Sequence, residues 1–200
     1  MKNIAITLAL LFLSVQAASA QDSVTLSHSY FDFGYERIFY VNDLGERLND
    51  ANGLVAELSI APTEHFFLLG EYHYAKSDTI SDDDSVSTQD LRLGLGLNAV
   101  LAGIIDIYVQ GGVRYMETGP LLFFDRIDDL GLYFEPGIRM AVIPLLEVYL
   151  SADYTRIDER NLFGVEIGTV IKFTDLLGVE ISSRVQENRA SLGIGARLQW

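Results

Sequence analysis

Apolar residues alternate with polar or small residues along most of the chain, from about residue 25 to the end. The pattern is clearest where Leu91, Leu93, Leu95 and Leu97 are separated by one arginine and two glycines. A period of two places successive side chains on opposite faces of an extended chain, so it predicts β-strands. Ten such segments are predicted, near residues 25–37, 53–61, 65–76, 89–99, 105–116, 131–142, 145–156, 162–173, 177–186 and 190–200.

The length of these segments indicates what surrounds them. Each is close to the roughly 9 to 11 residues that a tilted strand needs to cross a bilayer. Beyond residue 20 no apolar run approaches the roughly 20 residues of a spanning helix, so a membrane crossing must use strands. We therefore predict an all-β fold, a closed antiparallel up-and-down transmembrane β-barrel of about ten strands, or of eight if two segments merge.

The connections between the segments alternate in length, as in bacterial barrels with short periplasmic turns and longer extracellular loops. Short connections are predicted at 61–64, 101–103, 143–144 and 174–176, and long polar ones at 41–52, 77–87 and 117–129. The last two outer connections, near 158–160 and 187–189, are short. An even number of strands returns both termini to one side, which we expect to be the periplasm.

The alternation continues to the last residue of the chain. A closed barrel needs its final strand to pair with its first, and a pattern that runs to the end is expected there. The residues that share the apolar face are Leu192, Ile194, Ala196, Leu198 and Trp200.

The other end of the chain has the pattern of a cleaved secretory signal. Lys2 precedes an apolar run over 4–15, and Ala18-Ser19-Ala20 supplies the small residues before a cleavage site. The run is too short for a transmembrane helix. We expect residues 1–20 to be a signal peptide and residues 21–200 to form a single barrel domain.

Composition excludes several classes of function. The formal net charge of −14 argues against a nucleic acid partner. The chain has no cysteine, so it has no disulfide, no thiol nucleophile and no thiolate metal site.

Aromatic residues on the apolar face fall near the ends of their segments, where rings with polar tips suit the boundary between water and lipid. A plain preference of aromatic residues for strands is the alternative. The predicted girdles are Tyr35, Tyr74, Tyr115, Tyr154 and Phe163 at the outer side, and Phe66, Phe173 and Trp200 at the inner side.

The opposite face carries most of the charge. Charged side chains cannot face lipid without a large penalty, so we expect them to point into a narrow lumen and to pair across strands. The expected pairs are Glu57 or Glu71 with Arg92, Glu135 and Glu147 with Arg139, and Glu180 with Arg184 and Arg197. The network is predicted to fill the lumen, and its members are His28, Asp32, Glu36, Glu57, Glu71, His73, Arg92, Arg114, Glu135, Arg139, Glu147, Asp153, Glu166, Lys172, Glu180, Arg184 and Arg197.

Glycines and one proline qualify this picture. Inward glycines either leave space beside long charged side chains or allow strand curvature; they are Gly94, Gly96, Gly112, Gly137, Gly164, Gly168, Gly193 and Gly195. Pro136 falls on the predicted lipid face inside the sixth segment, where it removes a hydrogen-bond donor and predicts a bulge or bend.

Candidate chemistry is sparse. His28 lies between Ser27 and Ser29, which is similar to the His and Ser pairing of outer-membrane lipid A deacylases, but adjacent strand residues point to opposite faces. His73 and Glu71 share the inward face and favour a lumen hydrogen bond over an acid–base pair. We expect no catalytic residue, no cofactor and no metal.

The densest acidic cluster is Asp82-Asp83-Asp84, with Asp78 and Asp90 nearby. Closely spaced oxygen ligands can hold Ca²⁺ or Mg²⁺. A solvated anionic loop is the favoured interpretation, because such runs of like charge are usually solvated.

Taken together, the amino-terminal signal, the period-two segments, the alternating connections and the terminal Trp200 resemble the small outer-membrane β-barrel proteins of Gram-negative bacteria. That group includes the OmpA-type transmembrane domains and OmpX-type barrels. The segments Tyr30–Tyr35 and Leu93–Leu97 are similar to strands common in it. The resemblance implies an integral protein of the outer membrane that contacts outer-membrane lipid and lipopolysaccharide. It also implies a monomer whose last strand is recognised by the barrel-assembly machinery.

Three functions are compatible with this pattern. The first is a non-enzymatic barrel with a filled lumen and acidic extracellular loops, acting in envelope integrity or surface interaction. The second is a narrow channel for ions or small solutes, and the third is a barrel enzyme that acts on lipid or peptide.

Overall fold

The computed structural model describes residues 26–41, 47–77, 87–118, 127–187 and 189–200. These residues form ten strands in chain order: β1 (Tyr30–Val41), β2 (Arg47–Thr63), β3 (Phe66–Ser77), β4 (Ser87–Leu101), β5 (Ile105–Thr118), β6 (Ile127–Ile143), β7 (Leu146–Ile157), β8 (Arg160–Lys172), β9 (Leu177–Gln186) and β10 (Arg189–Gln199).

The strands form one closed antiparallel barrel. Each strand pairs with the next in sequence, and β1 pairs with β10 from Tyr30 opposite Gln199 to Tyr40 opposite Arg189. The predicted ten-stranded up-and-down barrel is confirmed, and the eight-stranded alternative is wrong. Among the residues that the structure describes, no helix is long and apolar enough to cross a membrane.

The first two strands differ most from their predicted bounds. β1 begins at Tyr30 instead of 25, and β2 begins at Arg47 instead of 53. The ladder continues beyond the apolar alternation, with Phe39 opposite Asp50. Hydrogen bonding along the backbone does not require an apolar side chain, so the strands extend past the point where lipid demands one. The connection is therefore confined to 42–46.

Residues 26–29 lie before β1 and are not strand. Leu26 and His28 are buried, and Ser27 Oγ donates to the carbonyl oxygen of Trp200 at 2.8 Å. The Trp200 amide donates to Ser29 O at 3.0 Å. The segment before β1 is thus hydrogen-bonded to the last residue of the chain, at the end of the barrel with the short turns.

The two faces of the wall have opposite character. Outward side chains are apolar and exposed, as at Leu95 (54%), Leu132 (67%) and Ile167 (59%). Inward side chains are largely charged and buried, as at Arg92 and Arg114. A water-soluble protein has the reverse arrangement, so this outer surface suits hydrocarbon.

All eight residues of the predicted girdles lie on the outward face. Tyr35, Tyr74, Phe163 and Phe173 are exposed. Tyr115, Tyr154, Phe66 and Trp200 are half-buried against neighbouring side chains. The rings of Tyr154 and Phe163, for example, lie with centroids 4.9 Å apart.

The bulge expected at Pro136 is not present. Phe134 lies opposite Tyr154 and Gly137 lies opposite Ser151, so the register between β6 and β7 is the same on both sides of Pro136. Its side chain is exposed on the outward face. Proline lacks the N–H that the ladder uses, which explains why pairing to β7 is interrupted there without a shift.

Inward glycines lie beneath aromatic rings of neighbouring strands. A Cβ added to Gly96 would lie 2.2 Å from Phe67 Cζ, and one on Gly137 would lie 2.2 Å from Tyr108 Cζ. Gly168 stands in the same relation to Tyr149, at 2.3 Å. The space that these three glycines leave is therefore filled by rings, rather than by the arginines and glutamates expected from the sequence.

Candidate functional site in the barrel interior

The interior of the barrel holds every charged residue that the sequence assigned to the lumen. His28 points inward from the segment before β1, and the others follow the alternation of their strands. Most of them are buried, including Arg139, Glu147, Asp153 and Lys172.

A histidine-centred cluster fills the end with the short turns. His28 Nε2 donates to Asp106 Oδ2 at 2.5 Å, and the imidazole stacks on Phe67 with ring centroids 4.2 Å apart. Arg139 Nη2 donates to the same carboxylate at 3.3 Å, and Asn98 Nδ2 donates to it at 3.1 Å. Asp106 is fully buried, so these three donors replace the water that it loses.

Lys172 and Glu147 form a second ion pair that is also buried. The pairing predicted for Arg139 with Glu135 and Glu147 is wrong. Arg139 forms an ion pair with Asp106, and Glu147 forms one with Lys172. β5 and β6 are neighbours, and Asp106 lies directly opposite Arg139 in their register.

Arg92 occupies the centre of the lumen. Its Nη1 lies 3.5 Å from Glu71 Oε2 and 3.4 Å from Glu135 Oε2, and its Nη2 lies 3.9 Å from Asp153 Oδ2. The guanidinium also lies over the Tyr133 ring, 5.7 Å from the centroid. One arginine on β4 thereby contacts side chains of β3, β6 and β7.

Glu57 does not pair with Arg92. Its Oε1 accepts a hydrogen bond from the Tyr30 hydroxyl at 2.5 Å. In the ladder it lies between two other acids, with Asp32 opposite on β1 and Glu71 opposite on β3. Of these acids, Asp32 has its own cation, because Arg197 Nε donates to Asp32 Oδ1 at 2.9 Å.

Arg184 and Arg197 connect the last two strands to the rest of the interior. Arg184 Nη2 pairs with Glu166, and Nη1 lies 3.3 Å from Glu71 Oε1 on β3. Arg197 also pairs with Glu180, as the sequence predicts. The predicted pair of Glu180 with Arg184 is absent among the ion pairs of the described residues.

Another cluster, centred on Arg114 and Asp90, lies toward the loop connections. Arg114 pairs with Asp90 and donates to Thr155 Oγ1 at 3.0 Å. Arg189 Nη2 lies 3.4 Å from the same Asp90 carboxylate. Gln186 also accepts from Arg114 Nη2, at 3.2 Å.

His73 on β3 connects Glu36 on β1 with Glu71 in the centre of the lumen. Its Nδ1 donates to Glu36 Oε1 at 2.8 Å, and its Nε2 donates to Glu71 Oε1 at 2.5 Å. Both ring nitrogens are therefore engaged with structural carboxylates.

Several interior residues were missed or misplaced by sequence reasoning. Asp90 is buried in β4 and is not part of the acidic loop with which it was grouped. Its spacing from Arg92, two residues along, is the signal that would have found it. The same parity would have found other missed interior residues, among them Tyr30, Asn98, Asp106, Tyr108, Tyr133, Tyr149, Thr155, Gln186 and Arg189.

Little free space remains among these side chains. Three interior cavities have volumes of about 60, 50 and 20 Å³. Each of these volumes exceeds the roughly 10–15 Å³ that a cavity needs to hold one water molecule, so all three can be hydrated. The first two share five lining residues, which are Glu57, Glu71, Glu166, Glu180 and Arg184.

The residues considered for chemistry are engaged elsewhere. His28 is bonded to Asp106, whereas the Ser29 hydroxyl accepts from the Ala61 amide at 3.0 Å. Within the described part of the chain, no group of three or more His, Asp or Glu is arranged to hold a metal ion. The acidic run 82–84 and Asp78 lie outside the described residues.

Comparison with known proteins gives a family match over most of the chain. The model of the family described as "Outer membrane protein beta-barrel domain" matches residues 5–184. A search of curated protein sequences gives no match.

Several solved structures are similar to this chain. The translocator domain of the autotransporter NalP from Neisseria meningitidis has a TM-score of 0.50 at 9% identity, covering 100% of this chain and 95% of that one. OprG from Pseudomonas aeruginosa has a TM-score of 0.45 at 11% identity, over 90% of this chain and 100% of the other. The neisserial surface protein NspA has 0.44 at 13%, over 87% and 98%.

At these identities, structural likeness concerns the fold alone, and the family match carries the assignment. That match agrees with the closed barrel, with its apolar outer face, and with the resemblance drawn from the sequence. The chain belongs to the outer membrane protein β-barrel domain family and is a protein of the outer membrane.

Proposed function

We propose that this protein is a non-enzymatic integral barrel whose lumen is closed to hydrated solutes of sugar size. Its wall contributes to the integrity of the envelope, and its loops contact the surroundings of the cell. The observation that carries the proposal is the network of ion pairs that crosses the lumen through Arg92 and Arg184.

The two arginines join parts of the wall that are far apart around the ring. Arg184 on β9 reaches Glu71 on β3, and three strands, β10, β1 and β2, lie between them. Arg92 on β4 reaches Asp153 on β7, across β5 and β6. A solute that crossed the lumen would have to separate these pairs and leave buried charges without partners, which costs several kcal/mol each.

The engagement of His28, Ser29 and His73 in structural hydrogen bonds supports the absence of catalysis. A nucleophile and its base must share a hydrogen bond, and Ser29 and His28 use different partners.

A narrow pathway for small cations is the second candidate. Acidic side chains outnumber arginine and lysine among the described interior residues, and carboxylates line both larger cavities. A chain of water molecules past Glu57 would provide such a pathway without opening the main ion pairs.

Conductance across planar bilayers tests the proposal. We expect the refolded full chain to give no steps of a size that admits hydrated sugars. The double variant Glu71→Ser with Arg184→Ser removes both partners of the cross-lumen pair and should produce conductance steps that the wild type lacks. Arg37→Ser, on the outward face, is the matched control and should behave as wild type.

Large steps from the wild type would refute a closed lumen. Small cation-selective steps from the wild type, abolished by Glu57→Gln, would establish the second candidate in its place.

A further inference from the structure

The outward face carries the same three-residue arrangement on two hairpins, called here the Tyr–Asn–Arg sites. On β1 and β2, the Tyr35 hydroxyl donates to Asn52 Oδ1. Asn52 lies directly opposite Arg37 in the ladder. Arg37 follows Tyr35 by two residues on the same outward face, toward the loop connection.

The second site repeats this geometry on β7 and β8. The Tyr154 hydroxyl donates to Asn161 Oδ1 at 2.7 Å. Asn161 lies directly opposite Arg156, which again follows the tyrosine by two residues. Two hairpins distant in sequence therefore present the same groups in the same order.

The hydrogen bonds determine what each site offers to a ligand. The tyrosine hydroxyl engages the amide oxygen, so the Nδ2 group, which carries two donor hydrogens, stands beside a guanidinium with five N–H donors. In the first site Lys76 lies opposite Asn52 and adds an ammonium. Asp50 accepts from Arg37 Nη2 at 2.7 Å and orients the guanidinium. Both sites are rich in donors and suit an anionic acceptor.

The position of the sites indicates the source of that acceptor. Below them, toward the middle of the wall, the outward face is apolar and exposed, as at Phe33 and Val165. Aromatic rings with polar tips mark the boundary between hydrocarbon and headgroups. The Asn and Arg side chains lie just beyond the tyrosines, where lipid headgroups begin. Guanidinium groups match the geometry of phosphate oxygens.

A third hairpin has the same layout with the opposite charge. On β5 and β6 the Tyr115 hydroxyl donates to Asp128 Oδ1 at 2.9 Å, and Asp128 lies opposite Glu117. The bond from tyrosine to a cross-strand polar group is therefore a general feature of this wall. Of these three hairpins, the two with arginine present a guanidinium to a phosphate, and the acidic one provides an internal control.

We propose that each Tyr–Asn–Arg site binds the phosphate group of a lipid headgroup at the membrane boundary. The guanidinium and the asparagine amide donate to the phosphate oxygens, and the tyrosine holds the amide in that orientation. The proposal is independent of whether the lumen conducts, because every residue in it faces outward.

Native mass spectrometry of the refolded full chain in a neutral detergent tests this site. With diphosphoryl lipid A as the probe, we expect two bound molecules per barrel. A probe with the same acyl chains but without phosphate should bind about tenfold more weakly or less, because charge-assisted hydrogen bonds are lost. Arg37→Gln and Arg156→Gln should each remove one bound molecule, and the double variant should remove both.

Two further variants separate the chemistry from general effects on the barrel. Arg37→Lys keeps the positive charge but loses the planar guanidinium with its paired donors, so it should retain part of the binding. Glu117→Gln on the acidic hairpin should leave the number of bound lipid molecules at two. Circular dichroism verifies that each variant is folded. Equal binding of the phosphate-free probe, or wild-type binding by the folded double variant, would overturn the proposal. If only one of the two single variants, Arg37→Gln and Arg156→Gln, lost a bound lipid molecule, the proposal would be overturned for the site of the other variant.

Discussion

At the scale of single residues, the interior charges differ in what their removal should cost. Glu71 has three cationic or donor partners, Arg92, Arg184 and His73. Glu57 has the Tyr30 hydroxyl and lies between two acids in the ladder. Burial of an ion is offset only by close partners, so these two glutamates should respond to the same substitution in opposite directions.

We expect Glu71→Gln to lower the free energy of unfolding by roughly 3 kcal/mol, because it leaves buried arginines with one fewer counter-charge. Glu57→Gln should raise it by about 1 kcal/mol, since it removes repulsion from Asp32 and Glu71. Urea titration of the refolded barrel in detergent measures both. A loss of stability in Glu57→Gln as large as that in Glu71→Gln would contradict this account.

At the scale of strands, the fit between glycines and rings couples neighbouring elements. Phe67 on β3 lies opposite Gly96 on β4, and Tyr149 on β7 lies opposite Gly168 on β8. A ring that crosses the neighbouring strand at glycine fills the lumen next to the wall. Strand register and lumen packing are therefore set by the same contacts.

We expect Gly96→Ala to destabilise the barrel by about 1 to 3 kcal/mol, because the new methyl group overlaps the Phe67 ring. Adding Phe67→Leu, which shortens the side chain, should recover part of the loss. Gly70→Ala on the outward face is the control, since its methyl group would meet Leu93 at an ordinary 3.5 Å. Equal losses in Gly96→Ala and Gly70→Ala would show that the ring contact is not the cause.

At the scale of the whole molecule, the fold was predictable because lipid imposes one rule on every strand. Outward positions must be apolar, so Leu91 to Leu97 and Val165 to Ile171 reveal their strands without tertiary information. The same rule identified which charges point inward. It failed at Asp90, where the nearby acidic run suggested a loop although its parity matched that of Arg92.

The partners inside the lumen were less predictable. Alternation gives the face on which a side chain lies, but not which distant strand it meets across the lumen. Arg184 contacts Glu71 only because the ring closes and brings β9 and β3 together. Pairs between neighbouring strands were also missed. Glu166 lies opposite Arg184, and Asp32 lies opposite Arg197, but neither pair was predicted although all four residues were assigned to the interior. Asp106, opposite Arg139, was not assigned to the interior at all.

The orientation of the barrel also belongs to this scale. We propose that the end with the short turns and both termini faces the periplasm, and that the assembly machinery recognises the last strand, β10. The chain has no cysteine, so a single engineered one reports its own location. In whole cells, a membrane-impermeant maleimide should label Asp158→Cys in an outer turn and should not label Asp175→Cys. The reverse pattern would invert the orientation.

The seam between β1 and β10 has a consequence for the kinetics of folding. Tyr30 must find Gln199, and Tyr40 must find Arg189, across almost the whole length of the chain. Pairs so remote in sequence carry the greatest loop-closure entropy, so they are expected to form late and slowly. Until they do, the outer edges of β1 and β10 have unpaired backbone groups, and these open edges of a partly inserted chain can associate with other polypeptides.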